Sequence, residues 1–119
     1  MCIRDSYIGF SDETGAGAGL GYHRNFPLPA GTDDAKYLSA LDEALAMIRI
    51  FAPKYLVLST GMDTFENDPL GKFKVTRNGF TEIGKRIAAL KLPSVIVMEG
   101  GYANEALGTN VVSLLEQFK

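Results

Sequence analysis

Two short segments of this 119-residue chain carry side chains that could do chemistry together. Ser59-Thr60-Gly61-Met62-Asp63 follows one β-prone run and delivers a carboxylate, and Glu99-Gly100-Gly101-Tyr102 follows another and delivers a phenol. In open parallel α/β sheets, ligands bind beyond the carboxyl ends of the strands, so the two groups can face one cleft. A carboxylate at that edge can bind a hard or borderline metal, and aspartate oxygen is an ordinary zinc ligand at roughly 2.0 to 2.2 Å. On spacing alone, the commoner use of such an aspartate is to form a turn or cap a helix. The paired glycines let the backbone take positive φ and approach a ligand. A positioned phenol can donate a hydrogen bond to a carbonyl oxygen that becomes an oxyanion; the plainer alternative is a turn with a packed tyrosine.

Other candidates carry less. The glycines at 15, 17, 19 and 21 offer no Gly-x-Gly-x-x-Gly register, no strand precedes them, and no Gly-Lys-Ser/Thr follows. They read as turn-forming residues. His23, the sole histidine, cannot by itself supply a histidine metal cluster, and its neighbours Arg24 and Asn25 suggest a surface or loop position. Asp68-Pro69 reads as turn chemistry rather than catalysis, and Cys2 as incidental.

The elements that must position these groups follow from periodicity. Residues 9 to 32 hold glycines at 9, 15, 17, 19, 21 and 31 with prolines at 27 and 29, which predicts an ordered loop with tight turns. A domain seldom begins on so much irregular backbone, so whatever this loop packs against is expected before residue 1. From an N-cap at Thr32 or Asp33, Leu38, Leu41, Leu45, Ile48 and Phe51 recur at helical spacing until Pro53 ends the run. Tyr55 to Ser59 is a continuous apolar run that suits a parallel strand covered on both faces. After a loop with Asp68-Pro69-Leu70-Gly71 comes a helix with Phe80, Ile83, Ile87 and Leu90 inside and Lys85-Arg86 facing water. A second buried strand, Ser94 to Met98, leads into Glu99-Gly100-Gly101-Tyr102. Leu107, Val111, Leu114, Leu115 and Phe118 then mark a last helix reaching the C-terminus. Helix, strand, helix, strand, helix calls for an α/β fold with a parallel sheet. Two strands make a poor sheet, so further strands are expected from upstream sequence or another chain.

Composition narrows the class. At 46% apolar and 22% charged residues the chain is globular rather than disordered. Twelve Lys and Arg against fourteen Asp and Glu leave a formal charge of -2 with no clustered cations, which argues against nucleic acid as a partner. One cysteine excludes an internal disulfide and favours a reducing cytoplasm. No apolar stretch approaches the roughly 20 residues of a membrane span, and the start lacks the apolar core of a signal peptide.

The segments 12 to 32 (Asp-Glu-Thr-Gly-Ala-Gly-Ala-Gly-Leu-Gly-Tyr-His-Arg-Asn-Phe-Pro-Leu-Pro-Ala-Gly-Thr), 61 to 71 (Gly-Met-Asp-Thr-Phe-Glu-Asn-Asp-Pro-Leu-Gly) and 98 to 102 (Met-Glu-Gly-Gly-Tyr) resemble the zinc-dependent histone deacetylase superfamily. Within it they are most similar to bacterial acetylpolyamine amidohydrolases. The resemblance runs over residues 7 to 119; residues 1 to 6 do not share it and read as a non-native leader. It implies part of a three-layer parallel-sheet fold of the arginase/deacetylase kind, truncated at the N-terminus. It also implies that Asp63 is the third zinc ligand and that Tyr102 polarises the scissile acetamide carbonyl. Gly100 and Gly101 then shape the channel floor, Leu70 lies at the channel rim, and the main-chain oxygen of Tyr22 helps hold a structural monovalent cation such as K+. In that family zinc binds water and the acetamide oxygen, a histidine pair moves the protons, and zinc with the tyrosine stabilises the tetrahedral oxyanion.

The substrates implied are small acetylated amines, namely acetylpolyamines or acetyl-lysine-like groups, and the full-length assembly implied is a homodimer. The family's tandem histidines and Asp-x-His ligands precede the glycine-rich loop, so one of three zinc ligands is present here. A single carboxylate cannot hold zinc tightly, and this chain alone is expected to be inactive. Two other readings compete: a non-catalytic binding or interaction module derived from the same fold, and a nucleotide-binding α/β domain. The missing phosphate loop weighs against the second.

Overall fold

The computed structural model describes residues 9–119; the proposed leader at residues 1 to 6, with Cys2, lies outside the described residues. The order is α1 (Asp34–Phe51), β1 (Leu56–Gly61), α2 (Arg77–Ala88), β2 (Ser94–Glu99) and α3 (Asn104–Leu115), with short 3-10 turns at Gly17–Gly19, Met62–Thr64 and Glu116–Phe118. β1 and β2 pair in parallel from Leu56 opposite Ser94 to Gly61 opposite Glu99. This in-phase register brings both strands to the same edge, and the loops that follow them emerge side by side.

Asp33 rather than Thr32 caps α1, its carboxylate accepting from the Lys36 N–H at 3.0 Å. Thr32 is fully buried, and its hydroxyl donates to the Pro29 carbonyl at 2.7 Å. The helix ends where Ala52 turns left-handed ahead of Pro53. Tyr37, Leu41 and Leu45 form its buried stripe, with Leu38 and Ile48 packed beside it. Phe51, expected on that stripe, is 64% exposed because it sits on the last turn beyond the core, where the Tyr22 ring meets it edge-on at 6.0 Å.

One core cluster joins α1 to Phe80, Ile83 and Ile87 of α2 and Leu114 of α3. The segment between β1 and α2, predicted as a plain loop, contributes Met62, Phe65, Phe73 and Val75 to the same cluster. Its backbone is tied by Glu66 N–H to Val75 O at 2.9 Å and Lys74 N–H to Thr32 O at 2.7 Å. Gly84 lets α2 approach α3 closely, since a Cβ there would lie 2.5 Å from the Leu114 carbonyl oxygen. On α3 the buried residues are Asn110, Ser113 and Leu114, whereas Leu115, predicted inside, is 42% exposed. Successive helical residues point about 100° apart at 3.6 residues per turn, so Leu114 and Leu115 cannot share one narrow buried stripe.

The strands also depart from expectation. Leu56 and Leu58 pack against the core, but Val57, Val95 and Val97 on the opposite face are 74%, 61% and 45% exposed. The described residues therefore form two layers, a two-stranded parallel sheet with helices over one face. No helix among the described residues is long and apolar enough to cross a membrane.

Candidate active site beyond the strand ends

Beyond Gly61 the chain enters the 3-10 turn Met62–Thr64, whose outer residues point into the core at 3% and 2% exposure. Asp63 between them is left half-buried at the sheet edge, and it caps no helix, since the N-cap position of this turn is Gly61. Two glycines flank its carboxylate. A Cβ on Gly61 would lie 2.8 Å from Asp63 Oδ1, and one on Gly100, whose φ is +57°, would lie 3.1 Å from Cγ and 3.2 Å from Oδ2. The carboxylate thus sits in a notch that any side chain at either position would fill. Gly101, at φ +97°, brings its backbone against the core: a Cβ there would meet Met62 Cβ at 2.6 Å and Leu107 Cδ1 at 2.7 Å.

Asp68 connects the two loops. It is 7% exposed; Oδ1 accepts from the Leu70 N–H at 2.9 Å and the Gly71 N–H at 2.8 Å, and Oδ2 accepts from the Tyr102 N–H at 2.7 Å. The turn read from Asp-Pro-Leu-Gly is there, and a bond across 34 residues accompanies it. The spacing of Asp68 to Gly71 signalled the turn, but nothing local to either segment signals the link to Tyr102.

The two carboxylates differ in character. Burial raises the pKa of Asp68, yet the N–H groups of Tyr102, Gly71, Leu70 and Ala103 outweigh it and hold the group below its ordinary value. Asp63 is held above its ordinary value, chiefly by burial, with its own backbone N–H opposing and the Asp68 charge adding. Burial also pushes the phenol of Tyr37 up, with the charge of Asp63 as a second cause.

The structure therefore brings Asp63, Gly100, Gly101 and the backbone of Tyr102 to one edge, with Leu70 on the loop that Asp68 holds. The Tyr102 side chain is 50% exposed and Leu70 is 67% exposed. Tyr22 is not part of this group: its ring lies on Phe51 at the end of α1 that leads into β1, whereas Asp63 follows β1. Asp63 fits the part of one metal ligand, a carboxylate in a glycine-lined notch. Catalytic zinc sites use three protein ligands, and among the described residues no group of three or more His, Cys, Asp or Glu converges on a metal position.

Residues 7–118 match the family described as Histone deacetylase domain. The chain belongs to this family. It is 48% identical to the acetylpolyamine amidohydrolase of Burkholderia pseudomallei over 110 residues, covering 92% of this chain and 32% of that one. It is 42% identical to acetylpolyamine amidohydrolase 1 of Pseudomonas aeruginosa over 113 residues, covering 95% of this chain and 33% of the relative. The crystal structure of the Burkholderia pseudomallei acetylpolyamine aminohydrolase superposes with a TM-score of 0.91 at 47% identity, over 95% of this chain and 33% of that one. The chain spans about a third of the length of these relatives, and the two-stranded α/β unit corresponds to that share of a deacetylase fold.

Proposed function

We propose that this chain is the portion of a zinc-dependent amidohydrolase that supplies one metal ligand, Asp63, and the carbonyl-polarising phenol, Tyr102. The substrates would be acetylated amines of the acetylpolyamine or acetyl-lysine kind. The observation that carries this reading is the Asp63 carboxylate held in a notch between Gly61 and Gly100 beside the loop that ends in Tyr102. The kinship with acetylpolyamine amidohydrolases supports the substrate class.

The chemistry of this chain's residues follows from their types. Asp63 contributes negative charge and an oxygen donor to a cation in the notch; zinc, when bound, supplies Lewis-acid polarisation and an acidified water. The Tyr102 hydroxyl donates to the acetamide oxygen as it gains negative charge, an interaction whose loss typically costs about 100- to 1,000-fold in rate. Gly100 keeps the notch around the Asp63 carboxylate open and Gly101 lets the same backbone settle against Met62 and Leu107, so that together they form the channel floor near the acetyl group. Leu70, apolar and exposed, offers a rim contact for the alkyl chain of the amine. The remaining zinc ligands and the proton-transferring base fall, in this reading, in the two thirds of the relatives' length that the chain does not span. The complete domain then has three layers, with the open face of β1 and β2 covered.

In the complete protein, Asp63→Ala should abolish zinc retention, while Tyr102→Phe should keep zinc and lose turnover by about 100- to 1,000-fold. Metal analysis with hydrolysis of acetylputrescine and acetyl-lysine peptides checks both, and a fully active Tyr102→Phe enzyme overturns the reading.

A further inference from the structure

The backbone that carries Tyr102 has little of its own to hold it. Gly100 and Gly101 precede it, both at positive φ, and glycine is the residue with the most conformational freedom to lose. The tyrosine side chain is half exposed, so packing restrains it weakly. The helix that follows begins without a side-chain cap, because its N-cap position is Ala103. A capping side chain ordinarily satisfies the first free N–H groups of a helix. What restrains Tyr102 comes instead from another loop: Asp68, which is buried, accepts from the Tyr102 N–H, two residues before the helix starts, through one oxygen and anchors its own turn through the other. The N–H of Ala103 also favours the charge on this carboxylate. A carboxylate near a helix N-terminus is further favoured by the helix dipole.

We propose that Asp68 is the positioning residue for the Tyr102 phenol. Its carboxylate fixes the backbone N–H of Tyr102 and sets the position of the hydroxyl relative to Asp63, without touching substrate. The inference rests on the amidohydrolase reading and adds a residue to it. The distance from Oδ2 to the Tyr102 nitrogen, 2.7 Å, is in the short range of charge-assisted bonds. Asparagine cannot replace this arrangement, because its amide offers one acceptor oxygen where the carboxylate offers two. Whichever way the amide turns, either the turn at Leu70 and Gly71 or the link to Tyr102 loses its acceptor.

The test is steady-state kinetics on the zinc-loaded complete protein carrying Asp68→Asn, Tyr102→Phe, or both, with acetylputrescine as substrate. Asp68→Asn should lower kcat by on the order of 100-fold, the scale of a catalytic group misplaced by about 1 Å, with KM and zinc content held. The double variant should be no slower than Tyr102→Phe alone, because residues acting as one unit are not additive. A wild-type kcat in Asp68→Asn alongside a crippled Tyr102→Phe overturns this proposal and leaves the amidohydrolase reading standing. So does a loss that multiplies in full in the double variant, since that is the pattern of a general folding defect. A fully active Tyr102→Phe overturns both. If Asp68→Asn fails to fold, Asp68→Glu carries the test: charge is kept, the carboxylate moves by one methylene, and the same fall in kcat at constant KM is expected.

Discussion

At Gly61 and Gly100 the absence of a side chain is the feature that matters, because a Cβ at either would intrude on the Asp63 carboxylate. Asp63 and Asp68 are the same residue type five positions apart, yet their surroundings shift their acidities in opposite directions. The surplus of N–H donors around Asp68 favours its charge, while burial disfavours the charge on Asp63. The consequence for Asp68 is a stability that depends on pH. Its folded pKa lies below the unfolded value of about 3.9, so its contribution is present above that value and is lost as pH falls through the folded one. Asp68→Asn should therefore unfold at lower urea concentration than the parent at pH 7, and the gap should close on acidification. Equal offsets at pH 7 and pH 2 would contradict this account.

At the scale of elements, the site depends on contacts made far from it. Asp34, in the first turn of α1, accepts from the Thr76 N–H at 2.8 Å and from its hydroxyl at 2.6 Å, and the same hydroxyl accepts from Gly79 N–H at 3.1 Å to cap α2. One carboxylate thus joins the starts of two helices and fixes where the segment from Phe73 to Thr76 leaves the core. Asp34→Ala strands the Thr76 N–H and weakens the cap, for an expected cost of about 1 to 3 kcal/mol. Urea denaturation of the complete protein measures it; a change below about 0.5 kcal/mol would show that water replaces the carboxylate without loss. The Arg86 pair with Asp42 at 3.0 Å also joins α1 and α2, and Arg86 pairs with Glu82 within α2 at 3.0 Å, but partly exposed ion pairs contribute little.

For the whole molecule, the open face of the sheet is the main unfinished surface. Val57, Val95 and Val97 form an apolar strip on the face opposite the helices, and parallel strands are almost always covered on both faces. We expect Val57→Glu in the complete protein to cost about 2 kcal/mol or more, since a covered site would have to accommodate an unpaired charge. Thermal unfolding reads this directly. Unchanged stability would mean that the face stays open to water.

Much of the fold was legible because it rests on local chemistry. The 3.6-residue spacing of Leu41 and Leu45, and of Phe80, Ile83 and Ile87, identifies helix faces without tertiary information. Pro53 and the capping Asp33 bracket α1, and the β-prone runs before Gly61 and Gly100 identify the strands. Asp63 and Tyr102 stood out because each follows a strand at the edge where ligands bind. What lay beyond the sequence depends on pairs distant along the chain. The entry of Met62, Phe65, Phe73 and Val75 into the core, and the exposure of Phe51 and Leu115, depend on where other elements end. The bond from Asp68 to Tyr102 joins residues 34 apart, and no local pattern encodes it, because only the parallel register of β1 and β2 brings their following loops together.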